Sequence, residues 1–67
     1  MQTDRYIYWN LIKERGDITR LTDLINEHRI RNGKAKISKQ RTINIIKTGE
    51  GPMDMIEIID KFYIKRQ

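Results

Sequence analysis

The chain has 67 residues, a net charge of +5 and no cysteine. Without cysteine it has no disulfide and no thiolate zinc site, and a domain of this size buries only about 60% of its unfolded surface. No apolar run approaches the roughly 18 residues of a membrane span, and Asp4 interrupts the region where a signal peptide would lie. We expect one small cytoplasmic domain over residues 1–67, with no membrane partner.

Stop signals divide the first half of the chain into two predicted helices. The first runs from Thr3, its cap, to about Arg15, and Gly16 suits the position just past its end. The second begins at Asp17 as N-cap. Its apolar face is one stripe: Ile18, Leu21, Leu24, Ile25 and His28.

Two further helices are predicted in the second half. Ser38 caps the third, which continues to about Thr48 and ends at Gly49, and Pro52 begins the fourth. The fold class is therefore all-α: a small domain of four helices, with a range of three to five. The predicted centre of the core is Leu11, Leu21, Ile25, Ile43, Ile46, Ile56, Ile59 and Phe62.

Positive charge is concentrated between the second and third helices. No acidic residue lies between Glu27 and Glu50, whereas that stretch contains seven bases; the rest of the chain has seven bases and nine acids, a net charge of −2. Asn32-Gly33 is a strong turn signal within it. We interpret this stretch as an extended basic loop before the third helix. A β-hairpin over Ile30–Ile37 is the alternative structure for the same residues.

The third helix places Lys39 and Arg41 in its first turn, beside the positive end of the helix dipole. Two cations at that end are unfavourable unless an anion binds there. Free backbone N–H groups and both side chains would then face a phosphate or a guanine edge. The local charge pattern therefore favours a polyanion as partner.

From Asp17 to Tyr63 the chain resembles the phage repressor and Cro family of helix-turn-helix domains. The matching segments are ITRLTDLI for the first motif helix, SKQRTINIIKTGEG for the recognition helix and PMDMIEIIDKFY for the helix that follows. The resemblance implies sequence-specific binding of double-stranded DNA by a bacterial or phage transcriptional regulator, such as a repressor, with no enzymatic activity and no cofactor.

The resemblance also implies which residues contact DNA. The residues turned toward base edges in the major groove would be Gln40, Arg41, Asn44 and Ile45. The residues near the phosphate backbone would be Arg29, Arg31, Lys34, Lys36, Ser38, Lys39 and Lys47. Two features depart from the family: the long connection before Ser38, and Thr22 where an alanine is common.

Other functions have less support in the sequence. His28 lacks the partners of a zinc site, and Asn32-Gly33-Lys34 lacks the rest of a P-loop, so we expect neither a metal site nor a small-molecule substrate. Trp9, Tyr6 and Tyr8 are interpreted as packing residues, although stacking on single-stranded DNA or RNA stays open.

A protein-interaction module of antitoxin or phage-accessory type is the alternative function. Ile45, Ile58 and the aromatic residues near the N-terminus provide more apolar surface than one small core readily hides. If the protein binds DNA, the same apolar surface leads us to expect two copies on the DNA, forming a homodimer there.

Overall fold

The computed structural model describes residues 4–65 and, within them, the side chains of residues 7 and 9–65. It contains four helices: α1 (Asp4–Ile12), α2 (Asp17–Arg31), α3 (Lys39–Thr48) and α4 (Met53–Ile64). No strand occurs in this part of the chain. The prediction of a small all-α domain of four helices is confirmed. Thr3, the expected cap of α1, and the side chains of Tyr6 and Tyr8 lie outside the described residues.

The corner between α1 and α2 differs from the prediction. α1 ends at Ile12, and Gly16, with φ +89°, stands at the N-cap position of α2. Asp17 is the first helical residue and is 1% exposed. Its carboxylate accepts the backbone N–H of Glu14 at 2.8 Å. A buried carboxylate and a left-handed glycine therefore turn the chain here, and α1 is shorter than its apolar spacing suggests.

The ends of α3 follow the prediction. The Ser38 hydroxyl accepts the backbone N–H of Arg41 at 3.4 Å. Gly49 has φ +72°, and its N–H donates to the carbonyl of Ile45 at 2.7 Å. α4 begins at Met53, one residue after Pro52. The two capping residues that define α3 could thus be predicted from local sequence alone.

The core lies where the four helices meet. Five of the residues predicted at its centre are buried: Leu21, Ile25, Ile46, Ile56 and Ile59. Ile43 and Phe62 are only half-buried. Met55 and Tyr63 complete the α4 contribution. The inward faces of α2, α3 and α4 were therefore largely predictable from their periodicity.

Leu11 is the error in the predicted core, because it is 78% exposed. Trp9 takes that place and is fully buried. Its indole N–H donates to the carboxylate of Asp60 at 3.0 Å, and its ring centroid lies 6.4 Å from that of Tyr63. Residues two apart are about 200° apart around a helix, so an inward Trp9 turns Leu11 outward. The interpretation of Trp9 as a packing residue is confirmed.

Candidate nucleic-acid interface

A buried pair of hydroxyl groups joins α2 to α3. Thr22 is 5% exposed and Thr42 is fully buried, and their Oγ1 atoms lie 2.7 Å apart. Thr22 Oγ1 also lies 2.7 Å from the carbonyl of Ile18, to which it donates. Because a hydroxyl has one proton, Thr42 is the donor to Thr22. This bond satisfies the hydroxyl of Thr22 inside the contact between α2 and α3.

Because Thr42 donates to Thr22 and Thr22 donates to Ile18, two similar substitutions should lower the free energy of unfolding by different amounts. Thr22→Val leaves the Thr42 proton buried without its acceptor, and we expect a loss of about 1–3 kcal/mol in the free energy of unfolding. Thr42→Val leaves Thr22 bonded to Ile18, so its expected loss is below about 1 kcal/mol. Urea denaturation of both variants measures the difference. A larger loss for Thr42→Val would reverse the assignment of the donor.

The connection between α2 and α3 is held at both of its ends. Asn26, in the middle of α2, donates to the carbonyl of Ile37 at 3.1 Å and accepts the N–H of Ile37 at 2.7 Å. The Lys34 N–H donates to the carbonyl of Arg29 at 2.8 Å, just after the Asn32-Gly33 turn. Residues 32–38 form a loop and not a hairpin, while Ile30 and Arg31 belong to α2. The loop therefore reaches Ser38 in a defined position.

Asn26 positions the loop but is not among the residues predicted from the sequence to be functional. Its signal is weak: asparagine is a poor helix former, and its side chain readily bonds backbone groups. Nothing local indicates that the bonded residue is Ile37, 11 positions further along the chain. That pairing depends on how the loop returns along α2.

The exposed face of α3 carries three of the four residues predicted to read bases. Gln40, Arg41 and Asn44 are all exposed. The Gln40 side-chain amide donates to the Asn44 side-chain oxygen at 3.1 Å. Residues four apart on a helix lie on one side, so this bond holds the two amides together. The bond leaves both Asn44 amide protons free to act as donors, and its oxygen has a second lone pair.

Ile45 does not belong to this face, and its prediction as a base-reading residue is wrong. It is 1% exposed. A Cβ atom added to Gly51 would lie 3.1 Å from Ile45 Cγ1, so the chain after α3 packs directly over this side chain. The next exposed positions on the face are Lys47 and Thr48. Ile45 is instead a buried residue at the edge of the hydrophobic core.

The cations predicted near the phosphate backbone divide into two groups. Three are already engaged by the protein: Arg29 donates its Nε–H to the carbonyl of Ala35, Arg31 lies 3.7 Å from a Glu27 oxygen, and Lys34 lies 3.7 Å from an Asp54 oxygen. The others, Lys36, Lys39 and Lys47, are exposed and have no acidic side chain within ion-pair distance among the side chains that the structure describes. The same holds for Arg41, which was predicted to read bases. The second group is free to bind an external anion.

Asp54 links the end of α2 to the start of α4. Its Oδ2 atom lies 3.6 Å from His28 Nε2 and 3.7 Å from Lys34 Nζ. His28, which the sequence pattern places on the apolar stripe of α2, is half-buried. No local sequence pattern predicts the contact between His28 and Asp54, which are 26 residues apart. Because of Asp54, Lys34 is paired with a carboxylate of the protein itself, whereas Lys36 is not.

Comparisons with protein-family models, with curated proteins and with solved structures give no match. Among residues 4–65, no helix is long and apolar enough to cross a membrane. The side chains of residues 7 and 9–65 include no group of three or more histidine, aspartate or glutamate residues placed to hold a metal ion.

Proposed function

We propose that the protein binds double-stranded DNA in a sequence-specific manner, with the exposed face of α3 in the major groove. The observation that carries the proposal is the single polar face of Gln40, Arg41 and Asn44, which is bordered by unpaired cations. Arg41 offers a bidentate donor for guanine, and each amide offers a donor and an acceptor for adenine. These side chains can form hydrogen bonds with base edges. Such a binding function requires no catalytic residue.

The electrostatics of the face support a polyanion as partner. Its unpaired cations are Lys36, Lys39, Arg41 and Lys47, and the segment that contains them has no acidic residue. Lys39 and Arg41 lie at the N-terminal end of α3, where the helix dipole already favours a negative charge. Phosphate groups would satisfy this end of the helix.

The resemblance to phage repressor and Cro domains supports a narrower proposal: a small cytoplasmic regulator of transcription, of bacterial or phage type. One recognition helix contacts too few base pairs for tight selectivity, so the proposal includes two copies on one site. Two of the apolar residues behind this expectation, Ile45 and Trp9, are buried, and Ile58 is half-buried. A contact between copies therefore does not depend on Ile45 or Trp9, and sedimentation of the complex on DNA tests the stoichiometry.

Titrations with salt test the proposed function. Binding to a duplex, a single strand and a duplex RNA of equal length is measured at several salt concentrations. With three or four phosphate contacts per copy, the slope of log K against log salt for duplex DNA should be about −3 per copy. Duplex DNA should also bind more tightly than either of the others.

Two outcomes would contradict the proposal. Tighter binding to the single strand or to RNA would assign the face to unpaired bases or to an A-form helix. Absence of binding to all three would favour the alternative, an interaction module of antitoxin or phage-accessory type.

A further inference from the structure

A second surface, on the side formed by α2 and α4, has an apolar floor and a basic rim. The cleft between the two helices has a volume of about 420 Å³. Leu24, Ile58 and Phe62 form the floor, and Leu24 is 42% exposed. The rim consists of Arg20, Lys61 and Lys65. Ile58 and Phe62 are half-buried. Accessible apolar surface inside a charged rim is typical of a binding site for another protein.

The charges of the rim indicate what the cleft binds. No acidic residue lines it, and among the described side chains no carboxylate lies within ion-pair distance of Arg20, Lys61 or Lys65. Glu57, one turn before Lys61, is also outside that distance. We propose that this cleft binds an amphipathic helix of a partner protein, with apolar anchors on the floor and acidic residues against the rim.

A second copy of the chain fits the cleft poorly. A two-fold contact places the same patch of both copies face to face, so three cations of one rim would meet the same three of the other. Like charges in that arrangement repel and disfavour the wrong partner. An acidic helix has the opposite, complementary charge.

The geometry of α4 sets the length of the partner segment. Ile58, Phe62 and Lys65 follow one another at helical spacings of four and three residues, which extend over roughly 10 Å along the axis. Two to three turns of a partner helix cover that distance. Apolar anchors one helical turn apart would match Ile58 and Phe62 of the floor, as in other helix-in-groove complexes.

The cleft faces away from the proposed DNA-binding face. Thr22 contacts α3 directly, and Leu24 lies about 200° further around α2. A helix in the cleft would therefore leave α3 accessible. The proposal is independent of the proposed DNA binding, and each can fail without the other.

Two synthetic peptides of about 18 residues serve as probes. Both have leucine or phenylalanine at three positions spaced to match the floor; one has glutamate on its flanks, and the other has lysine at the same places. NMR titration of the full chain should show shifts at the cleft residues. The acidic peptide should bind at least about tenfold more tightly than the basic one. Equal affinities, shifts elsewhere, or no binding of the acidic peptide at millimolar concentration would overturn the proposal.

Matched variants connect the binding to the cleft. Leu24→Ser should weaken binding of the acidic peptide about tenfold. Leu11→Ser changes a leucine on α1 that is still more exposed, at 78% against 42%, and should leave the affinity unchanged. The double variant Lys61→Glu with Lys65→Glu should prefer the basic peptide. Duplex DNA binding should not change with Leu24→Ser. If sedimentation instead shows a dimer that Leu24→Ser converts to monomers, the occupant is a second copy and the proposal is wrong.

Discussion

Replacing Ile46 by alanine should lower the free energy of unfolding by about 2–5 kcal/mol. Ile46 is 1% exposed and lies on the inner face of α3, among residues from the other helices. The substitution removes buried apolar surface and leaves a cavity. Because a small domain has a total stability of only about 5 kcal/mol or a little more, a large fraction of the variant should be unfolded. Urea denaturation followed by circular dichroism measures the change.

A matched control separates burial from the loss of an isoleucine as such. Ile30 is 55% exposed at the end of α2, so Ile30→Ala should change the free energy of unfolding by no more than about 0.5 kcal/mol. Similar losses for the two variants would contradict the placement of α3 against the core. A loss below about 1 kcal/mol for Ile46→Ala would do the same.

Arg41→Ala should weaken binding to the preferred DNA site by about 1–3 kcal/mol and affect random DNA less. Arg41 is exposed on the same face as Gln40 and Asn44, so its guanidinium is free to pair with a guanine edge. The loss of that pair removes an interaction that only the correct base provides. Specificity should therefore decrease more than general affinity.

Lys36→Ala is the contrasting variant. Lys36 is exposed in the loop before α3, where it would contact a phosphate and not a base. Binding to all sequences should weaken about equally, and the salt slope should decrease in magnitude by about one unit. The comparison needs a site selected from a random pool, titrations at several salt concentrations and thermal melts that show both variants folded.

The pattern of the two losses decides between modes of binding. If Arg41→Ala and Lys36→Ala lower specific and random binding in equal proportion, α3 is not reading bases and the contact is electrostatic. If neither variant alters DNA binding, the basic segment serves another partner. In both cases the proposed sequence specificity is wrong.

Local patterns were sufficient to predict the four helices and the polar face of α3. Ser38 and Gly49 define the ends of α3 through bonds to residues within a turn of them. Gln40 and Asn44 must share a side, because residues four apart on any helix do. The concentration of cations in one segment is also a property of sequence alone. None of these features depends on a distant part of the chain.

The tertiary structure decided which positions at the edge of each helical face are buried. Periodicity gives the angle between residues around a helix but not the absolute rotation of that helix against its neighbours. The residues after α3 pack over Ile45 and bury it, although it borders the exposed face. Similarly, α1 turns Trp9 inward and Leu11 outward.

The tertiary structure also decided which polar groups are free. Thr22 and Thr42 are 20 residues apart in sequence, and Lys34 meets Asp54 across a similar separation. Both pairs form only when α2 packs against α3 and α4. The availability of a cation for a ligand depends on the carboxylates near it in space, and folding, not sequence spacing, sets those distances. Lys36 and Lys34 are therefore indistinguishable in the sequence but differ in the folded protein.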